Sequence, residues 1–206
     1  AQQYPTKRPD GSVPYRIVYR ESAMYPDGSS FTDHDVHRVL KRKQIPCMGG
    51  EWFRCSINDV RAAVLAVKNH TDNAENRVNS FSMRPEQQKA VDKTTAYFQS
   101  AYDEDSTRCP KFLWNCKMRF GKTFASYQLA KRMGFKRILI LTFKPAVVSA
   151  WQEDLNNHID FEGWQFISRN TELTYETADK SRPIVCFGSF QYSLGVKKEN
   201  GGSKAK

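Results

Sequence analysis

Hydrophobic and polar positions alternate differently in the two halves of the chain. In the second half the apolar residues come in short unbroken runs. RILILTF (137–143), KFLWNC (111–116), WQFIS (164–168) and PIVCFGS (183–189) each read as a buried strand. Between them lie helical patterns: MRPEQQKAVDKTTAYFQSAY behind Pro85, KTFASYQLAKRM (122–133) ended by Gly134, and PAVVSAWQEDLNNH (145–158) with proline in its first turn. Strand and helix in alternation, with continuous apolar strands, predict an α/β fold: a parallel sheet carrying helices on both faces.

The first half reads as a small α+β unit. YRIVYRE (15–21) has the composition of a strand, and YPDGSS (25–30) carries an Asp-Gly turn signal. FTDHDVHRVLKRK (31–43) spaces Phe31, Val36, Val39 and Leu40 as one helical face, with Thr32 or Asp33 as its cap. CMGGEWFRC (47–55) is a glycine turn entering a short aromatic strand. Ser56 then caps INDVRAAVLAVKN, whose Ile57, Val60, Val64 and Val67 predict an inward stripe. HTDNAENRVNS (70–80) offers almost nothing to bury. The expected division is therefore 1–69, a linker at 70–80, and a second domain at 81–196. Residues 1–14 and the tail 197–206 are polar and turn-rich, and the expectation for the tail is disorder.

Composition narrows the partners. The 206 residues carry a formal net charge of +10. An excess of that size favours a polyanion, because Lys and Arg on phosphates release condensed counterions. The five cysteines form no CxxC pair and no cluster with histidine. Neither a disulfide framework nor a zinc site is indicated, and reduced thiols in the cytoplasm are the expectation. No apolar run spans a bilayer and no apolar signal core opens the chain, so no membrane partner is expected.

The chemistry concentrates in CKMRFGKTF (116–124). A phosphate loop needs a strand, a tight turn of free backbone N–H groups and a helix whose N-terminus faces the phosphates. Its usual pattern is G-x-x-x-x-G-K-[ST]. Here Cys116 replaces the first glycine, a position that must be small. Lys117, Met118, Arg119 and Phe120 fill the loop, and Gly121 permits close approach of the backbone. Lys122 would reach the β- and γ-phosphates of ATP, and Thr123 would offer its hydroxyl to Mg²⁺. The plain alternative is a basic turn at a helix start.

In order and spacing, MRPEQQKAV, CKMRFGKTF, ILTFKPAVVSAW and FGSFQ resemble the first RecA-like motor domain of superfamily 2 helicases and translocases, over about residues 81–196. The nearest pattern is that of type I and type III restriction-enzyme motor subunits. The resemblance implies that Arg84, Pro85 and Gln87 are an adenine-reading element. It also implies that Lys144 and Pro145, followed by Trp151, contact a nucleic-acid backbone, as do Ser189 and Gln191. The family's acidic DExH-type box, which holds Mg²⁺ and orients the attacking water, does not follow Gln191 here. The expectation is a fragment that binds ATP and hydrolyses it poorly or not at all.

In the first half, the run from YRIVYRES to INDVRAAV resembles the C-terminal part of GIY-YIG-type nuclease domains. By that pattern His37 matches the helical histidine, Asp33 stands where a metal-binding glutamate is usual, and Glu51, Trp52 and Phe53 match a GEWF element. The tyrosine strands of that family are not in this sequence. A solvated helix N-terminus explains Asp33 and Asp35 equally simply. The combined expectation is part of an ATP-dependent DNA helicase or translocase of a restriction or defence system, acting on double-stranded DNA, with further restriction subunits as possible partners. The alternatives are a repair or RNA helicase whose first half is a recognition module, a phosphotransferase without nucleic acid, and a structural DNA-binding module.

Overall fold

The computed structural model describes residues 16–196 and 203–205, with side chains through residue 191. The chain divides into two compact units at Asn76/Arg77, inside the polar bridge.

In the first unit, α1 (Asp33–Arg42) starts behind Thr32. The Asp35 carboxylate accepts from the Thr32 N–H and hydroxyl, both at 2.9 Å, which holds that carboxyl below its usual range. Val36, Val39 and Leu40 turn inward, as their spacing predicts, and pack with Phe31 on α2 (Ile57–Lys68). Ser56 caps α2: its hydroxyl accepts from the Asp59 N–H at 3.2 Å, and the Asp59 carboxylate accepts from the Ser56 N–H at 2.8 Å. Ala63, Val64, Ala66 and Val67 supply the facing surface. Each Val or Leu buried there contributes about 1.5–3 kcal/mol. Between the helices, β1 (Cys47–Gly49) and β2 (Trp52–Phe53) form an antiparallel hairpin.

The strand expected at 15–21 does not form. Residue 15 lies outside the described residues, and residues 16–22 run without a ladder. Ile17 and Val18 are exposed, and the first pairing is a single bridge from Met24 to Ser30 across the Asp-Gly turn. A β-rich composition makes a strand only where another strand satisfies its backbone, and no described strand lies beside this one.

The second unit runs α3 (Pro85–Glu104), α4 (Lys122–Arg132), β3 (Arg137–Thr142), a 3₁₀ turn (Pro145–Val147), α5 (Val148–Asn157), a second 3₁₀ turn (Ile159–Phe161), β4 (Gln165–Ile167) and β5 (Ile184–Ser189). The short α6 (Phe190–Ser193), β6 (Leu194–Val196) and β7 (Ser203–Ala205) follow. The main sheet is β3–β5–β4, and both pairings are parallel. The α/β class is therefore as the alternation predicts. On one face Ile140, Val185, Phe187 and Phe166 pack with Phe124 and Tyr127 of α4, Leu155 of α5 and Phe161. Tyr127 ties the helices together by donating to the Trp151 carbonyl at 3.0 Å.

Three details differ from the sequence expectation. Helices were expected on both faces, but on the other side of β3 Leu139 is 67% exposed and Leu141 57%. KFLWNC (111–116) forms no strand. It runs extended beside α3, held by the Trp114 indole N–H donating to Thr94 Oγ1 at 2.7 Å and by the Phe112 ring against Tyr97. Its backbone has no neighbouring strand to pair with, and Leu113 is 88% exposed. Finally, Ser203–Ala205 of the tail pairs antiparallel with Leu194–Val196, because a backbone ladder needs no apolar side chains; residues 197–202 and 206 lie outside the described residues.

The polar bridge also buries more than its composition suggests. Asn73 is fully buried in the first unit and donates to the Ala62 carbonyl at 2.9 Å. Arg77 is 2% exposed in the second, where Asn79 also forms a parallel bridge with His158.

Candidate nucleotide site

Gly121 is the N-cap of α4 and sits in the left-handed region at φ +77°. The conformation favours glycine, and a Cβ there would stand 2.5 Å from Gln87 Nε2, so the Gln87 side chain would have to shift. The two residues after it, Lys122 and Thr123, open the first turn of α4, with Lys122 exposed and Thr123 half-buried. The first N–H groups of a helix have no intrahelical partner, so this end presents free donors beside a lysine and a hydroxyl. No acidic side chain occupies that first turn. The donor set fits a triphosphate with its magnesium: backbone N–H groups, one ammonium and one hydroxyl. Cys116, at the loop's entrance, is half-buried.

α3 holds this loop from behind. Arg84 is the N-cap of α3, and its guanidinium donates to the carbonyls of Arg119, at 2.8 Å, and Phe120. Gln87 is 4% exposed and donates to the Phe120 carbonyl at 2.8 Å. Pro85, in the first turn of α3, needs no N–H partner there. A cleft of about 600 Å³ opens between α3 and 112–120, lined among others by Arg84, Lys93, Trp114, Lys117, Met118 and Phe120. Lys93 and Trp114 were not singled out in the sequence. Glu86, Ala90 and Lys93 share one helical face, and that spacing was the available signal.

The second group of candidates lies at the carboxyl end of the sheet. Thr142 pairs with Ser189, so the TFKP and FGSFQ segments emerge side by side. Parallel sheets bind their ligands at this end. Lys144 and Gln191 are exposed, whereas Pro145 begins the 3₁₀ turn. Ser189 is only 2% exposed, and its hydroxyl donates to the Phe143 carbonyl at 3.1 Å. Its observed role is to tie the two strand ends. Trp151 faces inward, its ring 5.3 Å from Tyr127.

In the first unit, Asp33 is exposed and its carboxylate accepts from the His34 N–H at 2.9 Å. His37, one turn on, is half-buried with its ring 5.2 Å from Phe53. Phe53 packs on the core, while Glu51 and Trp52 are exposed on the hairpin. Among the described residues no group of three or more His, Cys, Asp or Glu side chains stands close enough to hold a metal ion. Nor is any described helix long and apolar enough to cross a membrane.

Over 123 residues, 59% of its length, the chain is 35% identical to a Mycoplasma pneumoniae protein described as "Putative type II restriction enzyme and methyltransferase RM.MpnORF110P C-terminus". The chain spans 16% of that relative's length. It is thus similar to a protein of a restriction system. No protein-family model matches the chain, and no solved structure matches it.

Proposed function

We propose that this chain is part of an ATP-dependent, DNA-acting restriction enzyme, and that its second unit carries the nucleotide site of a helicase-like motor domain. The observation that carries the reading is Gly121, left-handed at the N-cap of α4, followed at once by Lys122 and Thr123. Lys122 would hold the β- and γ-phosphates of ATP, and the Thr123 hydroxyl would hold Mg²⁺. The bound nucleotide supplies the phosphoanhydride whose cleavage drives movement along DNA. Arg84 and Gln87 keep the loop in place from α3.

Further support comes from the charge of +10 and from the restriction-system relative. Among the described residues β3 is an edge strand with Leu139 and Leu141 exposed on one face, which suits further strands at that edge and helices over that face in a parent enzyme. Nucleotide binding with poor or no turnover is the expected behaviour of this chain. Lys144 and Gln191 at the sheet's carboxyl end would meet double-stranded DNA. The first unit, with Asp33 and His37 on α1, would be the C-terminal part of a GIY-YIG-like nuclease domain whose remaining strands bring the rest of its chemistry.

Titration of the chain with a non-hydrolysable ATP analogue and Mg²⁺, beside Lys122→Ala, tests the reading. Binding that the substitution abolishes supports it. Binding that Lys122→Ala leaves intact, or no binding by either protein, overturns the assignment of the loop in this chain.

A further inference from the structure

The side chain of Gln87 is committed at both ends of its carboxamide to the protein itself. Its Oε1 accepts the Arg84 N–H at 2.8 Å, closing the N-terminal turn of α3. Its Nε2 donates to the carbonyls of Phe120 at 2.8 Å and Gly121 at 3.3 Å. The carboxamide nitrogen is thus turned to the loop, and the carboxamide oxygen to the turn of α3. With 4% of the residue exposed, a base has no surface of Gln87 to approach.

The Phe120 carbonyl matters because a trans peptide unit is planar. Its C=O and the following N–H point in opposite directions. The Gly121 carbonyl accepts the Ala125 N–H at 3.1 Å inside α4, so the helix itself sets the Lys122 N–H, whereas drawing the Phe120 carbonyl toward α3 turns the Gly121 N–H away from α3. Arg84 does the same for the preceding unit by holding the Arg119 carbonyl at 2.8 Å. The left-handed Arg119 (φ +63°) and Gly121 (φ +77°) are the backbone states this arrangement requires. The contact is also tight, since a Cβ on Gly121 would overlap Nε2.

We infer that Gln87 is a positioning residue that aims the loop's N–H groups at the ligand phosphates and does not read the base, so that the site selects a nucleoside triphosphate by its phosphates. This rests on the reading of Gly121–Thr123 as a triphosphate site. It replaces adenine recognition through Gln87, which the sequence resemblance implies.

The test measures dissociation constants of the full chain for the Mg²⁺ complexes of a non-hydrolysable ATP analogue and the matching GTP analogue. Wild type, Gln87→Ala, Gln87→Glu and Lys122→Ala are compared, with thermal unfolding as the folding check. The expected result is that wild type binds both within about threefold. Gln87→Ala then weakens both by the same factor, about tenfold, the scale of one to two lost hydrogen bonds. Amide exchange at residues 119–122 should rise in that variant while the rest of α4 stays protected. If Gln87→Ala fails to fold, Gln87→Glu serves. It keeps the acceptor for Arg84 but turns a carboxylate on the Phe120 carbonyl, and both affinities should fall together. Wild-type preference for ATP of about thirtyfold or more that vanishes in Gln87→Ala would overturn the inference, as would unchanged affinities. Equal binding by wild type and Lys122→Ala, or binding by neither, removes the site itself and the inference with it.

Discussion

Arg77 donates from its guanidinium to the backbone carbonyl of His158 at 2.9 Å, and the same nitrogen reaches the carbonyl of Leu155. An arginine from the polar bridge thus satisfies the C-terminal carbonyls of α5, where the helix dipole favours a cation. The residue is 2% exposed, so water cannot replace it.

Arg77→Ala should therefore destabilise the second unit by roughly 2–4 kcal/mol, from orphaned carbonyls and a cavity together. Arg77→Met, which refills most of the volume, should recover only part of that. Urea unfolding of both variants checks it, and a cost below about 0.5 kcal/mol for Arg77→Ala would contradict the capping role.

Gly121→Ala should lose nucleotide binding and stability together. The new methyl meets Gln87 Nε2 at 2.5 Å and the backbone sits at φ +77°. Left-handed strain alone costs about 1–2 kcal/mol. Differential scanning fluorimetry with and without Mg²⁺ and the ATP analogue should show a lower Tm and no ligand-induced rise.

His158 makes the second unit acid-sensitive. Its Nε2 lies 2.9 Å from the Phe81 carbonyl and its Nδ1 accepts from the Asp160 N–H at 3.2 Å, which is the bonding of a neutral imidazole. Burial among Phe81, Phe124 and Phe161 pushes its pKa below the ordinary 6.5, against a smaller opposing pull from Phe81 and Asp160. The unfolded chain then takes up the proton first. Stability from this group is complete above about 6.5 and falls as the pH drops below it, by at most about 1.4 kcal/mol per pH unit. Urea midpoints at pH 8, 6.5 and 5.5 should decline, and His158→Gln should flatten that decline.

Neighbouring positions of β3 should respond oppositely. Ile140 is 8% exposed beneath α4 and α5, so Ile140→Ala should cost roughly 2–4 kcal/mol. Leu139→Lys, on the open face, should cost no more than about 0.5 kcal/mol and reduce self-association at high concentration. Equal losses would show that both faces are packed in solution.

If the carboxyl end of the sheet meets DNA, Lys144→Ala should weaken duplex binding similarly for unrelated sequences. It should also reduce the slope of log affinity against log salt by about one. Fluorescence anisotropy across a salt series would read both.

Much of this protein was legible from local pattern. Thr32 and Ser56 announced their helices, the 3.6-residue spacing of Val36, Val39 and Leu40 marked an inward face, and Gly121-Lys122-Thr123 marked a helix start. These are properties of neighbouring residues, so the sequence by itself determined them. The strands were legible only where a partner existed. RILILT and IVCFGS pair in register, while KFLWNC and residues 16–21 have the composition of strands and no ladder, because a strand is completed by another strand's backbone.

Tertiary structure alone decided where polar side chains spend their hydrogen bonds. Gln87 turned to the loop's carbonyls, Ser189 to the Phe143 carbonyl, and Arg77 from a seemingly inert bridge to the end of α5. Each of those acceptors lies more than thirty residues away in sequence. A buried polar group must pair with whatever the fold places beside it, and local sequence does not record that neighbour.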